Sequence, residues 1–327
     1  MRGDVLERSD LSTTRIVVPD CAGNPDIEAA FRRHLRGVAG VEIFSEASQD
    51  TKSQSARIGR ARTMLQFFTA SALPAQVLGE SCLERIVVAG PVGKSVDLEA
   101  ARSRDIAVYE VPALAASAVA EYTVALFLAL ERNLVRSCRD LEAGEWRPCF
   151  GRELGGRTIG LVGLGEIGGR VARIGQAFGA HVLAWSPTLT EARAAQYGAR
   201  CVGLKEVAAQ SDIVSLHLRL GPGTQGIFDA GLIASMRPGA FFVNTARAGL
   251  VDDLALRTAL ESRRIAGAAI DVFEKEPLDQ TSPWLRMNNV ILSPHMAWMT
   301  LDAVDRFVGA AASYIVAGDQ TRVRRVI

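Results

Sequence analysis

Thr158-Ile159-Gly160-Leu161-Val162-Gly163-Leu164-Gly165-Glu166-Ile167-Gly168 places a short β-branched and apolar run directly before a glycine-spaced turn. The run reads as a strand, and the turn opens a helix whose Val171, Ile174 and Phe178 fall on one face. Gly163 suits the tight turn, Gly165 lets the backbone approach a pyrophosphate, and the helix N-terminus adds amide donors and the positive end of its dipole. The spacing alone is weak evidence in a chain with 30 glycines. Its position between a strand and a helix is what gives it weight.

Outward from this stretch, short apolar runs alternate with helical patterns, the signature of βαβ units and parallel sheets. Downstream, strands are expected at Thr158–Val162, His181–Trp185, 212–218, 240–244, 268–272 and Val290–Leu292, six in all, the count of a full dinucleotide fold. Upstream, strands are expected at 15–18, 41–44, Thr63–Phe67 and Arg85–Ala89, with a polar loop or exposed helix over 51–62. Residues 117–141 read as the longest helix, apolar over much of its circumference and bridging two domains. A last helix over 301–316 precedes a basic tail and is expected to return to the first domain. The fold class is therefore α/β, with two doubly wound parallel-sheet domains. Residues 1–115 with 296–327 form a smaller discontinuous substrate domain, into which 116–295 inserts as a Rossmann cofactor domain.

A chain of 327 residues, 48% hydrophobic and 22% charged, can fill two cores. Its net charge of +1 offers no global attraction for nucleic acid or an anionic membrane, so a small solute is the expected partner. The N-terminal stretch 1–10 interleaves charge with few apolar residues and lacks a secretory core, and the apolar stretch 119–130 is too short to span a bilayer. A cytoplasmic protein is expected. Cys21, Cys82, Cys138, Cys149 and Cys201 are scattered without a CxxC pair, which argues against a disulfide framework and a structural zinc site, and no metal is expected.

Three polar residues fall where strands of the second series end: Arg247 in Asn244-Thr245-Ala246-Arg247, Glu276 in the segment from Asp271 to Pro277, and His295 in Ser293-Pro294-His295. Open α/β sheets collect their ligands at such strand ends. Reduction of a 2-keto acid delivers a hydride to the carbonyl carbon and a proton to its oxygen. An imidazole can carry that proton, and a neighbouring carboxylate stabilises the imidazolium. A guanidinium offers paired donors to the substrate carboxylate. Each residue alone also has a plain structural reading, as an interior histidine, a turn charge or a loop residue.

These ordered motifs, with Val251-Asp252 and the run from Gly267 to Leu278, resemble the D-isomer-specific 2-hydroxyacid dehydrogenases from about residue 85 to about 300. The resemblance implies catalytic roles for His295, Glu276 and Arg247, and a homodimer built around the inserted domain. It implies cofactor contacts from Gly163, Gly165, Glu166, Ile167 and Gly168, then Ser186 and Thr188, then His217, Leu218, Arg219 and Thr224, and finally Thr245, Ala246 and Asp271. Asp271 is expected to hold the nicotinamide carboxamide. The cofactor is NAD or NADP, with a slight lean to NADP because Ser186 stands where an acidic residue usually accepts from the adenosine ribose. No arginine follows directly, and Arg219 is a candidate clamp.

The substrate loop, usually glycine-rich, reads Gly90-Pro91-Val92-Gly93-Lys94. Pro91 cannot donate, so the amides of Val92 and Gly93 are the expected carboxylate donors, and Lys94 could add charge for a second acidic group. Ala248 stands where the family often has glycine. Trp298, three residues after His295, is expected either to shape substrate choice or to pack under the site. Two further readings stay open: an NAD(H)-sensing regulatory protein of the corepressor type, and a dehydrogenase of formate or phosphite. The absence of long appended tails favours the enzyme.

Overall fold

The computed structural model describes residues 15–112 and 114–327, so the N-terminal stretch 1–10 read above lies outside the described residues. The chain divides into two compact units, the described part of Met1–Ala115 with Met299–Ile327, and Ala116–Trp298.

In the first unit, β1 (Ile16–Val18), β2 (Val41–Ile43), β3 (Thr63–Phe67), β4 (Arg85–Ala89) and β5 (Ala107–Glu110) pair in parallel. The C-terminal β13 (Arg324–Arg325) adds antiparallel to β5, giving the order β13-β5-β4-β3-β1-β2. Val17, Met64, Ile86, Val88 and Val108 fill one core with Ile58 and Leu78 from the flanking helices. The polar stretch 51–62 forms a helix over Thr51–Ile58, started by a capping box in which Asp50 and Ser53 exchange side-chain and backbone bonds. The helix Leu301–Ala317 packs against the helix Pro25–His34 of the same unit.

The second unit holds β6 (Thr158–Val162), β7 (His181–Trp185), β8 (Arg200–Cys201), β9 (Ile213–Leu216), β10 (Phe241–Asn244), β11 (Gly267–Ile270) and β12 (Val290–Leu292). All pair in parallel, in the order β12-β11-β10-β9-β6-β7-β8. The chain starts in the middle at β6, moves outward through β7 and β8, and then crosses back to β9 on the other side. The sheet therefore reverses direction between β6 and β9, and ligands gather at such a point in open α/β sheets. Alternate residues serve opposite faces: Val162, Phe242 and Ala268 join one core with Phe228 and Trp284, while Ile159, Leu161, Val243 and Ala269 join another with Phe127 and Val171.

Four expectations need correction. The sheet of the second unit has seven strands, because the two-residue β8 carries too little pattern to be seen in sequence. In the first unit β5 and β13 were not foreseen. The span 117–141 is two helices, Ala116–Glu131 and Leu134–Glu142, broken where Asn133 takes a left-handed φ of 51°. On the helix Glu166–Ala177, Val171 is buried, but Phe178 is the C-cap residue and 49% exposed.

Candidate active site

The glycine turn is built by backbone contact. Gly163 has φ +112°, and a Cβ there would sit 2.6 Å from the His217 carbonyl carbon; one on Gly168 would sit 2.1 Å from the Gly163 oxygen. Only glycine lets strand end and helix start approach so closely. Gly165 differs, because a Cβ there meets nothing within 4 Å and its φ is −89°. The protein leaves that space open, directly before the helix beginning at Glu166, and a dinucleotide pyrophosphate fits such a cradle. Glu166 itself turns outward toward Arg170 at 3.5 Å, and Ile167 is partly buried against the core.

The end of β7 bends back onto this turn. Ser186 Oγ accepts from Leu164 N at 2.7 Å. Arg193, on the helix Glu191–Ala195, donates to the Leu164 carbonyl at 3.3 Å, bringing a guanidinium to the same loop. The sequence reading did not single out Arg193, which lies seven residues beyond Ser186; the helical return of the chain brings it back. Thr188 is exposed.

After β9, His217 has Nε2 3.0 Å from Ser215 Oγ, and desolvation pushes its pKa down to about 4. It is held neutral. Leu218 packs against the core, Arg219 is exposed, and Thr224 closes its own loop by donating to the Arg219 carbonyl at 2.7 Å and accepting from Gly221 N at 2.9 Å.

Arg247, Asp271 and His295 follow three adjacent strands. Asn244 of β10 pairs with Ile270 of β11, and Ile270 with Leu292 of β12, so the three loops leave the same sheet edge side by side. Asn244 shapes the first loop, its Oδ1 accepting from Ala246 N and its Nδ2 donating to the Arg247 carbonyl, each at 3.0 Å. Arg247 is left exposed, its guanidinium donating to the Ala246 carbonyl at 2.6 Å. Ala248 opens a 3-10 turn over Ala248–Leu250. Thr123 Oγ1 donates to the Val119 carbonyl at 2.7 Å, so the hydroxyl of Thr245 must be the donor in its 2.9 Å contact with Thr123. That side chain faces the core.

Asp271 is fully buried. Its Oδ1 accepts from Ser293 Oγ at 2.6 Å and Met296 N at 2.9 Å, and its Oδ2 accepts from Ala297 N at 2.9 Å. The carboxylate thus brackets His295, whose φ of +52° is a conformation that L side chains rarely adopt. The bracket offsets that strain. Glu276 completes the arrangement: Oε1 accepts from Phe273 N at 2.9 Å, and Oε2 lies 2.7 Å from His295 Nδ1. With Nδ1 committed to the carboxylate, Nε2 faces away from it and can give or take a proton. Trp298 is partly buried on the same loop.

In the other unit, the expectation for Val92 is corrected. Its amide donates at 3.0 Å to Glu110 Oε2 of the neighbouring strand, and Val92 is 4% exposed, so it has no donor left for a ligand. Gly93, with φ +50°, and Lys94 are exposed, and neither amide donates within the described residues. Sequence offered no signal for the Glu110 contact, which spans 18 positions.

Residues 124–297 match the family described as D-isomer specific 2-hydroxyacid dehydrogenase, NAD binding domain. The chain is 39% identical to D-3-phosphoglycerate dehydrogenase of Mycobacterium leprae over 73% of its own length and 46% of that protein's. It is 37% identical to glyoxylate reductase of Aeropyrum pernix, over 73% of this chain and 74% of that one. The chain spans about half the length of the phosphoglycerate dehydrogenases it matches. Among solved structures, D-2-hydroxyisocaproate dehydrogenase superposes with a TM-score of 0.81 at 25% identity, covering 95% of this chain and 99% of that one. The pyruvate reductase of Chlamydomonas reinhardtii does so with a TM-score of 0.81 at 27% identity, covering 94% and 97%. No helix among the described residues is long and apolar enough to cross a membrane.

Proposed function

The chain belongs to the D-isomer-specific 2-hydroxyacid dehydrogenase family, and we propose that it transfers a hydride between a nicotinamide cofactor and a 2-keto acid or its D-2-hydroxy acid. One observation carries this reading: the 2.7 Å contact of His295 Nδ1 with Glu276 Oε2, on a loop bracketed by a buried carboxylate at the strand ends of the fingerprint-bearing sheet. Glu276 orients the ring so that Nε2 meets the substrate. In reduction, Nε2 gives its proton to the carbonyl oxygen; in oxidation it takes the proton back, and Glu276 stabilises the imidazolium in either direction. Arg247 pairs with the substrate carboxylate and polarises the carbonyl through a planar fork of donors. In the first unit, the exposed turn after β4 leaves the amides of Gly93 and Lys94 free to donate to a carboxylate. A bound nicotinamide supplies or accepts the hydride.

The reading extends to NADP(H) over NAD(H). The end of β7 carries no carboxylate to repel a 2′-phosphate, and Ser186 and Arg193 both bond to Leu164 of the glycine turn. It also extends to a homodimer. The helix Leu134–Glu142 buries no residue, and Leu134, Leu141, Trp146 (84%) and Phe150 (104%) are exposed along one segment that a second copy would cover. Introducing charge with Trp146→Glu and Phe150→Glu together should halve the mass measured by light scattering.

The test of the reaction follows oxidation of NADH and NADPH by the nicotinamide absorbance, against glyoxylate, pyruvate, hydroxypyruvate and larger keto acids. Turnover of at least one acid, faster with NADPH, is expected. Silence across the panel with either dinucleotide would overturn the proposal.

A further inference from the structure

We propose that Glu110 is a positioning residue for substrate binding, and that the C-terminal strand controls it through Arg324. The inference rests on the reading that the Gly93–Lys94 turn binds the substrate carboxylate. Val92 to Ser95 forms a tight turn closed by Ser95 N donating to the Val92 carbonyl at 2.9 Å, reinforced by Ser95 Oγ on the same oxygen at 2.7 Å. Gly93 and Lys94 occupy its centre, and their amides take no part in closing it. The orientation of those two amides therefore depends on how the first corner, Val92, is fixed to the sheet.

The Val92 side chain sits in the core, and a single side chain holds its amide. Glu110, 7% exposed at the end of β5, accepts from Val92 N through Oε2 at 3.0 Å, while its Oε1 accepts from the Arg324 guanidinium. Arg324 stands opposite Glu110 in the antiparallel β13–β5 pair, which Val326 N reinforces by donating to the Val108 carbonyl at 2.8 Å. Arg324 supplies the positive charge beside a carboxylate that is otherwise shielded from water, and it holds that carboxylate in the rotamer that reaches Val92. The relay runs Arg324, Glu110, Val92 N, turn amides. Nothing in it touches reacting atoms, so its loss should weaken binding of the acid and leave the chemical step alone.

The test compares Glu110→Ala, Glu110→Gln and Arg324→Ala in the full chain, by hydrogen exchange at the Val92 amide and by KM and kcat for glyoxylate. Glu110→Ala should lose protection at Val92 and raise KM about tenfold, the scale of a buried amide deprived of its acceptor, with kcat within about twofold. Glu110→Gln keeps an oxygen for Val92 and should retain protection and most of the affinity. Arg324→Ala should raise KM about threefold, as expected for a partner that is itself largely exposed. Wild-type protection in Glu110→Ala would overturn the proposal, as would lost protection with an unchanged KM, or a fall in kcat with unchanged KM. The exchange readout needs no substrate. A chain that turned over no keto acid would sink the proposed reaction, while the anchoring would still stand or fall on the Val92 amide.

Discussion

The loop after β12 and the loop after β4 are both hung from a buried carboxylate at the end of a neighbouring strand, yet the two anchors are built differently. Asp271 is fully buried and takes three donors, all from Ser293 to Ala297. Its three bonded partners are neutral donors, and the loop cannot shift without breaking every bond. Glu110 takes one loop amide, from Val92, and shares its charge with the exposed Arg324 from the far end of the chain. The contrast teaches where angular accuracy matters. On the proposed reading, the His295 imidazole has to be held within hydrogen-bond geometry of its target, whereas the turn after β4 has only to present its donors.

The largest expected effect comes from removing the group while sparing its anchor. His295→Ala should lower kcat about 100-fold or more, the scale of a lost general acid, with dinucleotide affinity unchanged in a fluorescence titration. Normal turnover in that variant would break the comparison at its root. Next is the reverse experiment, in which Asp271→Asn keeps the imidazole and spoils the anchor by turning an NH2 toward backbone donors. It should cost about 2 kcal/mol of unfolding free energy and lower kcat together with stability; a thermally intact, fully active variant would show that the bracket is dispensable.

A third kind of strand-end loop sharpens the contrast, because the turn after β6 hangs from no carboxylate: close backbone contact at its glycines shapes it, and Ser186 and Arg193 bond to Leu164 within it. Gly165→Ala meets no protein atom within 4 Å, so its melting temperature should match the parent while dinucleotide affinity falls about tenfold, close to 1.4 kcal/mol. Equal loss of both would mean that the space belongs to the protein and not to a ligand.

The smallest effect at neutral pH concerns the loop after β9. His217 is held neutral in the fold, with its pKa lowered from 6.5 to about 4. Above pH 6.5 the group is neutral folded and unfolded, and contributes nothing to pH dependence. As pH falls from about 6.5 to about 4, only the unfolded chain takes up the proton, so stability is lost by up to about 1.4 kcal/mol per pH unit. Urea titrations across that window should flatten in His217→Gln; an unchanged slope would place the acid sensitivity elsewhere.

Strands such as Thr158–Val162, His181–Trp185 and Val290–Leu292 were legible because each is a short apolar run bounded by charged or small residues. Arg324–Arg325 was not, since two exposed arginines have no side-chain pattern and pair only because an edge strand offers free backbone groups. The break at Asn133 was hidden for a similar reason. Helical periodicity continues past it, and only its left-handed backbone separates the two helices. The candidate residues Arg247, Glu276 and His295 could be picked out by residue type and strand-end position, but their supports could not. Asn244 reads as a strand end, Asp271 as a cofactor contact and not as the support of the His295 loop, and Arg193 as a surface charge until the register of the sheet is known.

The linear chain carried enough information for an α/β architecture, a dinucleotide turn and an imidazole, a carboxylate and a guanidinium at strand ends, since periodicity, glycine spacing and residue chemistry are expressed within a few positions of one another. Folding in three dimensions determined which polar groups are consumed and which remain to bind: the Val92 amide is spent on Glu110, the Thr245 hydroxyl on Thr123, and the Asp271 carboxylate on the segment around His295. A hydrogen bond has few partners, and which one a group meets is set by strand register and by segments returning from far along the chain, quantities that no local window of sequence contains.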